Sequence, residues 1–170
     1  EECDAGGGVV AAIGPRGGRR ATAIVERRAD RIFVDDPDDL LGARTPTPYE
    51  APDEGRRQRH AALVAHCLDA ARRDDRASWC DEEAWRLLAS HTARPDGAVQ
   101  IAHLYDTDRA GTINLFPRAG IGYNTVVPGR HAGEHFHEKD AFVGVWGAPV
   151  QRRRRPRTAV LGAPAATVYE

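Results

Sequence analysis

The chain has 170 residues, 41% of them hydrophobic, enough for one domain with a real core. Its 24 basic and 25 acidic residues leave a net charge of −1, so no global field draws it onto nucleic acid or an anionic membrane. No apolar run approaches the ~20 residues of a membrane span, and three cysteines without a C-x-x-C pair argue against a disulfide framework and a zinc ribbon.

The chain opens at Glu1, contains no methionine and closes on Val168-Tyr169-Glu170 in what reads as a helix. We expect a segment of a longer protein, with any missing catalytic group upstream. Val9–Ile13 and Thr22–Arg27, two β-prone runs separated by Gly14-Pro15-Arg16-Gly17-Gly18, predict a β-hairpin. Arg31–Val34 predicts a third short strand, stopped by Asp35-Asp36-Pro37, and Thr45–Asp53 a loop. Arg57–Arg73 predicts a helix, with Leu63, Cys67 and Ala70 beside Val64, Leu68 and Ala71 forming one apolar stripe. A second helix is expected from about Asp81 to Ser90: Asp81 caps it, and Ala84, Trp85, Leu87 and Leu88 supply its buried side. Pro95–Tyr105 fits either a helix or a strand, and Pro95 followed by Asp96 favours the helix. Gly111–Phe116 and Ala141–Trp146 predict strands, and the chain regains helical composition over Thr158–Glu170.

Between the last two predicted strands lies Gly129-Arg130-His131-Ala132-Gly133-Glu134-His135-Phe136-His137-Glu138-Lys139-Asp140, with three of the seven histidines in seven residues. Imidazole is the commonest metal ligand, and a glycine-flanked loop can aim a ring without straining a helix. His135 and His137, two apart, would face the same side of an extended segment. His60, His66, His91 and His103 read as partly exposed helix histidines. Arg152–Arg157 reads as a solvated loop, because it lacks interleaved aromatic residues. Gly6-Gly7-Gly8 precedes a strand and reads as a linker.

The order of segments resembles the C-terminal part of the alkaline phosphatase superfamily, which includes sulfatases and nucleotide pyrophosphatase/phosphodiesterases. Asp35-Asp36-Pro37-Asp38-Asp39-Leu40-Leu41-Gly42 resembles the G-D-P-L turn of some members. Pro95–Ile101 through Arg109–Phe116 is similar to their helix-to-strand passage. Gly129-Arg130-His131-Ala132 resembles their G-x-H-G turn, Ala141–Gly147 with Pro149 their strand ending in G-P, and Arg157–Glu170 their closing helix. Ala132 departs from the usual Gly, and Val160-Leu161 from the usual Asp.

The resemblance implies an α/β fold, the C-terminal portion of an alkaline-phosphatase-like three-layer sandwich. It would be one segment over 1–170, with a small antiparallel β excursion at 1–35 and an α/β core portion at 57–170. It implies part of a metal-dependent hydrolase acting on a small phosphate (di)ester or sulfate ester. Its divalent ions, zinc in the first instance, would form a two-metal site completed by upstream residues. The resemblance makes His131 a metal ligand; His135 and His137 are a further candidate pair or contacts around it, with Glu134 or Glu138 orienting a ring. No nucleophile can be named, because Ser78, Ser90, Thr107 and Thr125 lack the expected context, and the segment alone should be inactive. Two other readings remain open. His135-Phe136-His137 after Gly129 also resembles the first motif of a cupin-like metal-binding β-barrel, although its expected Glu and third His are missing. A degenerate non-catalytic α/β module is the third.

Overall fold

The computed structural model describes residues 7–46, 53–104, 113–116, 121, 126 and 135–136. The chain divides into two units, Glu1–Lys139 and Asp140–Glu170, and every described residue belongs to the first.

Three strands open the unit: β1 (Gly7–Arg16), β2 (Arg19–Arg28) and β3 (Arg31–Asp35). The expected hairpin and third strand are present, and the hairpin strands run longer than their β-prone cores. Their extent follows from the turns. Gly17 and Gly18 take φ of 58° and 80°, which lets Arg16 pair directly with Arg19 and carries the ladder to the tip. A second two-residue turn, with Ala29 at φ 54°, pairs Arg28 with Arg31. The short β4 (Cys80–Asp81) adds to β3, giving an antiparallel sheet in the order β1-β2-β3-β4.

Helix α1 (Glu54–Val64) continues into a π-helical turn over Ala65–Asp69. It starts three residues before the expected Arg57, because Asp53 Oδ1 accepts the Arg56 amide at 2.8 Å and Glu54 occupies the first turn. Helix α2 (Glu82–Ala89) begins where expected, with Asp81 Oδ1 accepting the Ala84 amide at 2.8 Å. Helix α3 (Gly97–His103) resolves the ambiguous stretch after Pro95 in favour of helix.

The period-2 alternation of the strands decides the core. Ala21, Ala23 and Val25 of β2 share a face with Ile32 and Val34 of β3, and all are buried against the helices. Trp85 and Leu88 of α2 and Ala98, Val99, Ile101 and Ala102 of α3 close that core, with the Trp85 indole donating to the Ile32 carbonyl at 3.0 Å. Phe33 points to the opposite face, where it stacks on the fully buried Trp79 at 5.6 Å between ring centroids. Gly14 leaves room for the turn after β3: a Cβ there would come within 2.9 Å of Leu40 Cδ1.

Several expectations need correction. Cys67 and Cys80 form a disulfide, with Cα atoms 5.5 Å apart, joining the π-helical turn to β4. The sparse cysteine count had pointed the other way, but two cysteines on segments that the core clamps together are enough. Residues 113–116, expected within a strand over Gly111–Phe116, form none. Ile113 and Leu115 are well exposed, and no strand of the sheet pairs with them; β propensity without a ladder does not make a strand. Helices α2 and α3 and the π-helical turn pack on strands of the β1–β4 sheet, and their expected packing on 141–146 lies outside the described residues. The strand expected at Ala141–Trp146 and the closing helix lie outside the described residues, as do most of the elements on which the three-layer sandwich was argued.

Candidate functional site

Of the three histidines in the expected metal loop, His135 lies within the described residues; His131 and His137 lie outside them, as do Glu134 and Glu138. His135 is half-buried, with its ring 4.3 Å from that of Phe136 and tilted by 35°. The Phe136 amide donates to the Ala93 carbonyl at 3.0 Å. That bond ties this part of the histidine loop to the segment between α2 and α3.

The segment is itself held in place. Thr92, fully buried, bridges to Pro46 and returns its hydroxyl to the Ala89 carbonyl at 2.8 Å. The Arg94 guanidinium donates to the Leu40 carbonyl. The turn after β3 is fixed by Asp36, whose carboxylate accepts the Leu40 amide at 2.7 Å and the Leu41 amide at 2.8 Å. Burial pushes the Asp36 carboxyl up from its usual range, while those two amides and Arg44 pull it back. Gly42 ends the turn at φ 67°, close to Ala93. The stretch that resembles a G-D-P-L turn therefore abuts the segment that carries the histidine-loop contact.

Two further polar clusters were not foreseen. In the first, His103 Nε2 donates to Glu82 Oε1 at 2.5 Å, and Arg86 donates to Glu82 Oε2 at 3.0 Å. Arg86 Nε also lies 3.4 Å from Asp96 Oδ1. A carboxylate that orients an imidazole suits proton transfer. In the second, the buried Glu26 carboxylate lies between Arg28 at 2.6 Å and Arg73 at 2.8 Å, with the Arg28 guanidinium 5.3 Å from the centre of the Trp79 ring. This acid is neutralised on both oxygens, an arrangement that holds structure rather than turns over a substrate. Neither cluster follows a sequence motif. Only the β alternation, which puts Glu26 on the same face as Phe33, hinted at the second.

Two of the remaining helix histidines also differ from expectation, whereas His66 is exposed on the π-helical turn as expected. His60 is buried and donates from Nε2 to the Ala43 carbonyl at 3.0 Å, because α1 leans its polar flank on the loop after β3. His91 lies in the turn after α2 rather than within a helix.

Among the described residues, no three His, Cys, Asp or Glu side chains are grouped to hold a cation. These residues alone do not fit a two-ion centre, so no reaction step is assigned to one. Among the described residues, no helix is long and apolar enough to cross a membrane. No family model, curated protein or solved structure matches the chain.

Proposed function

We propose that this chain contributes the histidine loop of a metal-dependent hydrolase of phosphate (di)esters or sulfate esters, with His131 as a ligand of a divalent ion, zinc in the first instance. The observation that carries the reading is the order of its segments. A helix-prone passage at Pro95–Ile101, the run Arg109–Phe116, and the Gly129-Arg130-His131 turn follow one another in the order of the alkaline phosphatase superfamily. Helix α3 standing at the first of these positions supports it. The substrate is a small anionic ester, and the nucleophile and remaining ligands would come from other residues. The cupin-like alternative gains nothing from α1, α2 and α3, since a β-barrel has no call for three helices over 54–103.

The test is the zinc content of the intact protein, which supplies the remaining ligands, after equilibration and dialysis, measured for three histidine variants. His131→Ala should lose the metal. His135→Ala and His137→Ala should keep it, with affinity reduced by at most the ~10–100-fold typical of supporting contacts. The chain alone should not hydrolyse an aryl phosphate diester, phosphate monoester or sulfate with added zinc or manganese. Full metal in His131→Ala, with loss in the other two, would transfer the site to the paired histidines and overturn the reading.

A further inference from the structure

The turn that joins β2 to β3 sets two like charges side by side. Arg28 and Arg31 flank its two residues and are direct cross-strand partners, so both side chains stand on one face of the sheet, with Cα atoms ~5.5 Å apart. Like charges directly opposite one another destabilise a sheet. Two more arginines join them from the loop that follows the π-helical turn. Arg73 Nε donates to Glu26 Oε2 at 2.8 Å, and the Arg76 guanidinium donates to the Arg28 carbonyl at 3.1 Å. Each head group has its own anchor. Glu26, buried on the same face, takes Arg28 on one oxygen and Arg73 on the other. The Trp79 ring lies beside Arg28, and the Trp79 carbonyl accepts Arg31 Nη1 at 2.7 Å.

The charges in this cluster do not balance. Among the described residues, Glu26 is the one carboxylate in ion-pair contact with the four arginines. Arg31 and Arg76 donate to neutral carbonyls. Four guanidinium charges against one carboxylate leave an excess of 4 − 1 = 3. Of the other acids nearby in sequence, Asp75 and Asp81 accept the Ala77 and Ala84 amides, and Asp30 and Asp74 are exposed charges that water and salt screen. A carbonyl orients a guanidinium without neutralising it, and one or two anchored nitrogens leave the rest of its five N–H donors for a ligand. Arg28, Arg73 and Arg76 are exposed and Arg31 is half-buried, so these donors reach solvent.

We propose that Arg28, Arg31, Arg73 and Arg76 form a binding site for a phosphate dianion, either free phosphate or the phosphate of a monoester. Planar guanidinium forks match phosphate oxygens two at a time. A dianion offsets two of the three excess charges, whereas a carboxylate would offset one. A nucleic-acid strand suits the site less, because Phe33 and Trp79 are buried against each other and offer no face for a base to stack on. The site is independent of the histidine loop and requires no cation. Its open, solvated setting keeps the affinity modest.

The full chain, dialysed free of metal, is titrated with inorganic phosphate at constant ionic strength while the arginine Nε–Hε resonances are followed. Those of Arg28, Arg31, Arg73 and Arg76 should shift together and saturate with one dissociation constant of about 1 to 10 mM. The resonance of Arg57, paired with Glu54 on α1, should stay in place. Methyl phosphate separates the two sources: tighter binding than inorganic phosphate assigns the site to a monoester, and equal or weaker binding assigns it to free phosphate. Arg76→Gln removes an exposed head group and should weaken binding by about tenfold, with the circular dichroism spectrum unchanged. Arg31→Lys keeps the charge but loses the fork, and should weaken binding as well. Arg57→Gln should bind as the parent does. Shifts that do not saturate, that Arg57 shares, or that keep the parent's affinity in Arg76→Gln and Arg31→Lys overturn the proposal. So does binding that appears only after zinc is added, which would place the phosphate on a cation instead.

Discussion

Strands β1 and β3 are built from the same kinds of aliphatic residue and end in opposite surroundings. In β3, Ile32 and Val34 are sealed under the helices, and Phe33 is sealed on the other face by Trp79. In β1, Val9 and Ile13 face solvent. The difference lies in position rather than composition. The strand β3 has β2 on one side, β4 and the Trp85 indole on the other, and a layer on each face. Among the described residues, the β1 strand has β2 alone beside it, and α3 packs against it. β propensity reports how well a side chain suits a pleated surface, and neighbours decide what that surface is worth.

The largest expected effect comes from opening the sealed side. Trp85→Ala should cost ~3–5 kcal/mol, because it leaves a cavity at the centre of the core and strips the Ile32 carbonyl of its donor. Ile13→Ala should stay within about 0.5 kcal/mol of the parent, as a surface change does. Urea unfolding of the pair checks this, and equal costs would break the comparison between the two strands.

Next comes the clamp on β3. The Cys67–Cys80 bond closes a short loop, with the two cysteines 13 residues apart, and a bond of this span contributes about 3 kcal/mol. Adding reductant should lower the urea midpoint accordingly. A Cys67→Ala/Cys80→Ala variant should start at the lower midpoint and ignore reductant. A midpoint of the parent chain that reductant does not move would remove the clamp from the account.

The smallest effect sharpens the comparison where β3 leaves the sheet. Burial raises the Asp36 carboxyl above its usual range. Its contribution to stability is fully present below the unfolded pKa and is lost as pH rises through the elevated folded value. Asp36→Asn cannot ionise, so the parent should lose stability relative to the variant over that rise. Glu54, held below its usual range by Arg57 and Gln58, acts in the opposite direction. It is common to both proteins and cancels in the difference. A difference that does not change with pH would mean that Asp36 stays solvated.

Much of this was legible in the residues. The β-prone runs around Gly17-Gly18 gave the hairpin, and Asp81 before two glutamates gave the start of α2, because turns and caps are local chemistry. What depended on distant neighbours was not legible. Nothing local pairs Cys67 with Cys80, sets Trp79 on Phe33, or buries His60 against Ala43. Ile113–Phe116 shows the converse: its composition suits a strand, but it pairs with none of β1–β4. The candidate site was legible only as a motif. His135 reaches the segment at Ala93 through its neighbour Phe136, and no local signal marks that segment as its receiver.

Amide hydrogen exchange, read residue by residue, tests the contrast between the two strands most directly. The account predicts slow exchange at Val10, Ala12 and Phe33, whose amides lie in the β2 ladders. It predicts fast exchange at Val9, Ala11 and Ile13, whose amides face away from β2 in the alternation set by the Arg16–Arg19 pair. Protection of these three equal to that of Val10 and Ala12 would show that side of β1 covered, and would contradict the account.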